Sequence, residues 1–265
     1  MSNQQIAGLN VLITGGSTGI GAEIAREVAR HGGHPILVAR SESKLLTLKD
    51  NIEKEYNQEV DVYPCDLTDS KKWEDTLHKI VEQHKPIHVF INNAGMGVFE
   101  YVKDITSENT RKMFDLNVYS LIQGTQIMVG QMLLQKEGHI INIASQAGKM
   151  ATPRSSVYSA TKHAVLGFTN ALRLEMHREP IHVTAVNLGP VATNFFDEAD
   201  PNGRYQEAVK SYMLDPAKVA QKVVKSIYTN KREINMPGWM EAGSFIYRMM
   251  PSLMERVLRK QFEKK

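Results

Sequence analysis

The chain has 265 residues, 42% apolar and 23% charged, ordinary values for a soluble globular protein with a substantial core. A net charge of +3 is too small to argue for nucleic acid, and no apolar run is long enough to span a membrane. The single Cys65 excludes an intrachain disulfide and reads as a small buried hydrophobe; with residues 1–9 short and polar, a reducing, cytoplasmic setting is expected.

Short β-rich runs alternate with longer helical patterns along the chain. Strands are predicted at 11–14, 36–39, 60–63, 88–91, 138–144, 182–188 and 233–236. Helices are predicted at 19–31, 43–56, 70–84, 107–134, 157–177 and 216–228. Runs such as Val11-Leu12-Ile13 and Ile140-Ile141-Asn142-Ile143 are apolar on both faces, as buried parallel strands require. The alternation builds a single α/β domain: a parallel sheet of about seven strands with helices on both faces.

Two stretches depart from this pattern. Residues 190–210 are long, polar and aperiodic, with Pro201 and Gly203 as breakers, and read as a lid-like loop. Residues 242–265 form an extension with six basic and two acidic residues, a net of +4. Its Ile246, Met249, Met250, Leu253, Met254, Val257, Leu258 and Phe262 recur near helical spacing, interrupted by Pro251. Packing on the domain or on a neighbouring subunit is the favoured reading of this extension. Contact with a membrane surface through Arg248, Arg256, Arg259, Lys260, Lys264 and Lys265 is the alternative.

Two motifs carry chemistry. Thr14-Gly15-Gly16-Ser17-Thr18-Gly19-Ile20-Gly21 follows an apolar strand and opens a helix, the context a dinucleotide pyrophosphate needs. Glycine lets backbone approach phosphate, and the helix N-terminus offers it free N–H groups. Further on, Tyr158 and Lys162 stand four apart on a helix, so the ammonium can lie beside the phenol and lower its pKa. Ser145 stands thirteen residues before Tyr158, at the carboxyl end of a strand.

Together with Asp66-Leu67-Thr68, Asn92-Asn93-Ala94-Gly95, Asn117 and Asn187-Leu188-Gly189-Pro190, these motifs resemble the short-chain dehydrogenase/reductase family from about residue 9 to 238. The resemblance implies a Rossmann-type doubly wound sheet and an oxidoreductase that interconverts a carbonyl and an alcohol by hydride transfer. It implies that Tyr158 is the general acid or base and that Lys162 lowers its pKa. Ser145 would hold the substrate oxygen, and Asn117 a water relaying protons to Lys162. Gly15, Ser17, Thr18, Gly19, Ile20, Gly21, Asp66, Leu67, Asn93, Ala94, Gly95, Pro190, Val191 and Thr193 would contact the cofactor, as would Tyr158 and Lys162. The family's acidic cofactor-selecting position is Ala39 here, and Arg40 follows it, which favours NADP(H) over NAD(H). Met96, Gln146, Met150, Phe195 and Phe196 would meet the substrate, together with Val191, and suggest an apolar one.

A homodimer or homotetramer is expected, paired through Leu121, Ile122, Ile127, Met128, Leu166, Phe168 and Leu172. The nine histidines show no metal-ligand spacing, so no metal is expected. Alternatives to the enzyme are a catalytically idle dinucleotide-binding sensor or scaffold, which the intact Ser145/Tyr158/Lys162/Asn117 set disfavours, and a sugar-nucleotide epimerase. For the epimerase, too few residues follow Gly189 to build a second domain.

Overall fold

The computed structural model describes residues 6–262. Among these residues one sheet holds seven strands: β1 (Asn10–Thr14), β2 (His34–Ala39), β3 (Asp61–Pro64), β4 (Val89–Asn92), β5 (Gly138–Ile143), β6 (Ile181–Leu188) and β7 (Glu233–Met236). Every pairing is parallel, in the order β3-β2-β1-β4-β5-β6-β7. The order reverses between β1 and β4, and a cleft opens at the carboxyl ends of such neighbours.

The helices are α1 (Gly19–Arg30), α2 (Glu42–Tyr56), α3 (Ser70–His84), α4 (Ser107–Phe114), α5 (Ser120–Gln135) and α6 (Ser156–Glu175). Then come α7 (Phe195–Ala199), α8 (Arg204–Val209), α9 (Pro216–Val224), α10 (Gly238–Met249) and α11 (Pro251–Phe262). Strand pleating sends alternate residues to opposite faces. Val11 and Ile13 therefore pack with Ile24 and Val28 of α1, Leu45 of α2 and Val223 of α9. Leu12 packs on the other side with Trp73 and Leu77 of α3, Met128 of α5 and Leu172 of α6. Trp73 is fully buried and donates its indole N–H to Ser120 O at 3.0 Å. Burial of one large apolar side chain contributes about 1.5–3 kcal/mol.

The predicted strands all form, with ends shifted by a residue or two. Two helical predictions and one loop prediction need correction. The stretch 107–134 is not one α-helix: a five-residue π-helical segment, Asp115–Tyr119, separates α4 from α5. The stretch 190–210 is not a bare loop, since α7 and α8 form within it. The helix beginning at Pro216 ends at Val224 rather than Tyr228. Its start is as the sequence suggests: Asp215 accepts from Ala217 N at 2.9 Å and proline occupies the first turn.

His139 on β5 is fully buried. Its Nδ1 accepts from Tyr228 N at 3.0 Å, so Nε2 carries the proton and donates to Thr184 Oγ1 at 2.9 Å. Burial, with His182 adding to it, pushes the imidazole pKa from its ordinary 6.5 down to about 3. The folded state therefore resists a proton that the unfolded chain accepts. Stability is full above the unfolded pKa and falls as pH drops below it, by roughly 2 kcal/mol between pH ~7 and ~5. Urea melts at the two pH values should show this loss, and His139→Gln should reduce it by that amount. Equal losses in both proteins would show that His139 is not the acid-sensitive group.

Candidate active site

The glycine loop joins β1 to α1 beside the end of β4. Gly15 and Gly19 have positive φ, 64° and 55°, which side-chain-bearing residues rarely adopt. A Cβ on Gly21 would overlap Gly15 O, so the loop closes only on glycine. Asn93 ties it down: its Nδ2 donates to Thr14 O at 2.9 Å and Gly15 O at 3.2 Å. Thr14 Oγ1 accepts from the N–H groups of Asn93 and Ala94 at 3.0 and 3.1 Å. Thr18 precedes α1 without a side-chain capping bond, and no acidic residue occupies the first turn. The helix N-terminus is thus open to an anion.

Arg40 is exposed at the end of β2, beside this loop, where Gly16 N donates to Val38 O at 3.2 Å. Asp66 follows β3, and its Oδ1 accepts from Thr68 N and Thr68 Oγ1 at 3.0 and 2.8 Å. Burial pushes the Asp66 pKa up, but those bonds and the Arg40 charge outweigh it and hold the carboxylate below its usual range. Asp69, not Asp66, caps α3, accepting from Lys72 N at 3.1 Å.

At the ends of β5 and β6 the catalytic candidates converge. Ser145 Oγ donates to Leu188 O at 3.2 Å and accepts from Ala147 N at 3.1 Å, and it stands close enough to the Tyr158 hydroxyl to lower its pKa. Lys162 is buried and donates to Ile143 O at 3.0 Å, its Nζ 5.9 Å from the Tyr158 ring centre. The ammonium does not lower the phenol pKa here. Burial pushes Tyr158 up to about 12 despite Ser145, and pushes Lys162 down to about 8. Desolvation of the charged form dominates both groups, and the ammonium is turned to the Ile143 carbonyl.

Asn117 lies in the π-helical segment, whose extra residue turns it inward. Its Oδ1 accepts from Met96 N at 2.8 Å, and its Nδ2 donates to Met96 O at 2.8 Å and Thr161 Oγ1 at 3.0 Å. Both amide protons are thus committed to protein, and the side chain braces the loop after β4.

A cavity of about 560 Å³ opens over Ser145 and Tyr158. Gln146, Met150, Val191, Phe195 and Phe196 line it as expected. Met96 is not part of that lining; its backbone N–H and C=O are held by Asn117. The sequence pattern gave no sign of Phe99 and Tyr205, whose rings pack 4.6 Å apart between centroids and cluster with Tyr158, Phe195 and Phe196. Nor did it show the cover: Trp239, Met240 and Ser244 of α10 and Met254 of α11 complete the wall. The same helix pair leaves Phe245, Ile246, Met249, Leu253 and Val257 exposed. Lys149 anchors α10, donating to Glu241 at 2.5 Å and to Glu233 and Asn235 of β7 at 2.6 and 2.9 Å. Within the extension 242–265, Lys264 and Lys265 lie outside the described residues, as do the side chains of Leu258, Arg259, Lys260 and Phe262.

Residues 9–203 match the family model described as short chain dehydrogenase. The chain belongs to that family. A short chain dehydrogenase is an NAD(P)-dependent oxidoreductase acting on carbonyl and alcohol groups, and this chain is one. It is 33% identical over 259 residues to a dehydrogenase/reductase SDR family protein 7-like from Dictyostelium discoideum, covering 94% of this chain and 80% of that one. A structure of a single-residue variant of actinorhodin polyketide ketoreductase with NADPH superposes with a TM-score of 0.77 at 29% identity, covering 88% of this chain and 97% of that one. A short chain dehydrogenase/reductase from Burkholderia phymatum in complex with NAD has the same fold, with a TM-score of 0.85 at 22% identity over 94% of this chain and 96% of that one.

In this short chain dehydrogenase, four of the residues expected at a subunit interface belong instead to the core. Leu121, Met128, Leu166 and Leu172 are buried within the single chain, because their helix faces pack on the sheet or on each other. Ile122, Ile127 and Phe168 are only partly buried. Among the described residues no helix is long and apolar enough to cross a membrane. The expectation of no metal-ligating cluster also meets an exception: His34, Asp61 and His84 come together at the amino end of the sheet, far along the chain from one another.

Proposed function

We propose that this chain is an NADP-dependent carbonyl reductase or alcohol dehydrogenase for an apolar substrate. One observation carries the reading: Ser145, Tyr158 and Lys162 come together in the lining of one largely apolar cavity, with Ser145 beside the Tyr158 hydroxyl. The uncapped α1 N-terminus and the glycine-only closure of the loop fit a dinucleotide pyrophosphate. Gly15, Ser17, Thr18, Gly19, Ile20 and Gly21 would hold it, and Arg40 would meet a 2′-phosphate. A bound nicotinamide dinucleotide supplies or accepts the hydride. Tyr158, protonated at neutral pH, donates its proton to the carbonyl oxygen, while Ser145 donates a hydrogen bond to the same oxygen. Lys162 supplies positive charge below the phenolate that this leaves. Asn117 acts by bracing the wall at Met96. The aromatic group over Tyr158 excludes water and favours apolar substituents.

The test is NADPH consumption with a panel of apolar ketones. Turnover is expected, faster with NADPH than NADH and poor with charged ketones. Dinucleotide binding without turnover across the panel would make this an idle binding protein instead.

The domain spans 1–241, with a lid at about 190–210, and the extension from residue 242 covers the cavity. The setting we propose is cytoplasmic, since the single Cys65 calls for no oxidising compartment. We further assign the exposed apolar side of α10 and α11 to packing against a neighbouring subunit in a homodimer or homotetramer. Light scattering should give a mass of two or four chains, and deletion of residues 245–265 should lower it or the thermal midpoint. A truncated protein unchanged in both, but no longer sedimenting with anionic vesicles, would assign that side to a membrane surface.

A further inference from the structure

We propose a divalent metal site for Zn²⁺, made by His34, Asp61 and His84 at the end of the sheet opposite the active site. His34 opens β2, Asp61 opens β3 and His84 closes α3. The ligand atoms of the three residues lie within 4.8 Å of one another. Asp61 Oδ2 is 2.8 Å from His34 Nε2 and 3.7 Å from His84 Nδ1.

The hydrogen bonds around the cluster decide which ring nitrogens bear protons. Asn10 Nδ2 donates to His84 O at 2.6 Å and Pro86 O at 3.0 Å, which turns Asn10 Oδ1 to His34 Nδ1 at 3.0 Å. Oδ1 only accepts, so His34 Nδ1 carries the proton. The Tyr63 hydroxyl donates its one hydrogen to Gln83 Oε1 at 2.6 Å and sits 2.6 Å from His84 Nε2. His84 Nε2 must then be the donor in that pair. Each imidazole therefore turns its other ring nitrogen, Nε2 of His34 and Nδ1 of His84, towards the Asp61 carboxylate.

Three electron-rich atoms facing one another repel unless a cation lies among them. A proton on His34 Nε2 would serve only one of the two contacts. That nitrogen is buried, and despite its 2.8 Å approach to Asp61 it makes no properly directed hydrogen bond. Two imidazole nitrogens and one carboxylate oxygen suit Zn²⁺, with water as the fourth ligand. Asn10 and Tyr63 are the outer partners that fix the orientation of ligating histidines. The site is remote from Tyr158, so the ion would clip β2, β3 and α3 together and take no part in hydride transfer.

The experiment uses the full chain, stripped with EDTA and titrated with Zn²⁺ and, separately, Co²⁺. One equivalent of Zn²⁺ should bind and raise the thermal midpoint, and Co²⁺ should show the intense visible bands of four-coordinate cobalt. His84→Gln and His34→Gln should each abolish the stoichiometric binding, and Tyr63→Phe should weaken it about 10-fold. Ketone reduction with NADPH should be the same before and after EDTA. No stoichiometric Zn²⁺ binding, or binding equal in wild type and His84→Gln, would overturn the proposal. If the histidine variants do not fold, the cobalt spectrum of the wild type decides, and bands of six-coordinate cobalt alone would overturn it.

Discussion

Tyr158→Phe is expected to lower kcat for ketone reduction at least ~100-fold, the scale on which a positioned general acid acts. The substitution keeps the ring, and therefore its packing against Phe99 and Phe195 at 5.6 and 5.9 Å between centroids. It removes the hydroxyl that stands beside Ser145. NADPH affinity, read by fluorescence, should stay close to wild type. The wild-type pH profiles check the same assignment. With the phenol near 12, reduction needs no ionisation and should be flat around neutrality. Alcohol oxidation needs the phenolate as base, so log kcat/KM should rise with a slope near one until Lys162 begins to lose its proton at about pH 8. The rise should vanish in Tyr158→Phe. A variant that reduces ketones at the wild-type rate would remove Tyr158 from the chemistry.

Arg40→Asp is expected to reverse the cofactor preference. A charge-assisted hydrogen bond contributes about 1.5–3 kcal/mol, so loss of the guanidinium alone should cost about 10- to 100-fold in kcat/KM with NADPH. The new carboxylate adds repulsion of a 2′-phosphate and an acceptor for the ribose hydroxyls of NADH. It would also stand near Asp66, whose pKa already responds to the charge at position 40. That pKa should rise in the variant, and NMR titration can follow it. A wild-type enzyme that prefers NADH would refute the role of Arg40 before any mutation is made.

Local signals made much of this molecule legible. Val11-Leu12-Ile13 reads as a two-sided buried strand, and its residues do divide between two cores. The glycines of the first turn read as backbone that must approach closely, and Gly21 allows no Cβ. Tyr158 and Lys162 read as neighbours because helical spacing requires it. The electrostatics of that pair were not legible. Sequence spacing places an ammonium near a phenol, but whether attraction or desolvation wins depends on burial, and burial wins here. Asn117 shows the same division. Its presence in a helix is readable, but not the π-helical turn that aims it at Met96.

By itself, then, the order of residues determined the strand and helix periods, the glycine turn and the spacing of the reactive side chains. All of these are set within a few residues by backbone geometry and solvent preference. The tertiary structure alone decided which distant groups meet. It brought Phe99, Tyr205, Trp239 and Met254 around one cavity, and it placed Leu121 and Met128 in the core rather than at an interface. It also gathered His34, Asp61 and His84, which no local pattern connects, because β2 and β3 pair in parallel and α3 returns its last turn to their starting ends. Local periodicity leaves no trace of such contacts, since chain closure over tens of residues, not neighbouring sequence, creates them.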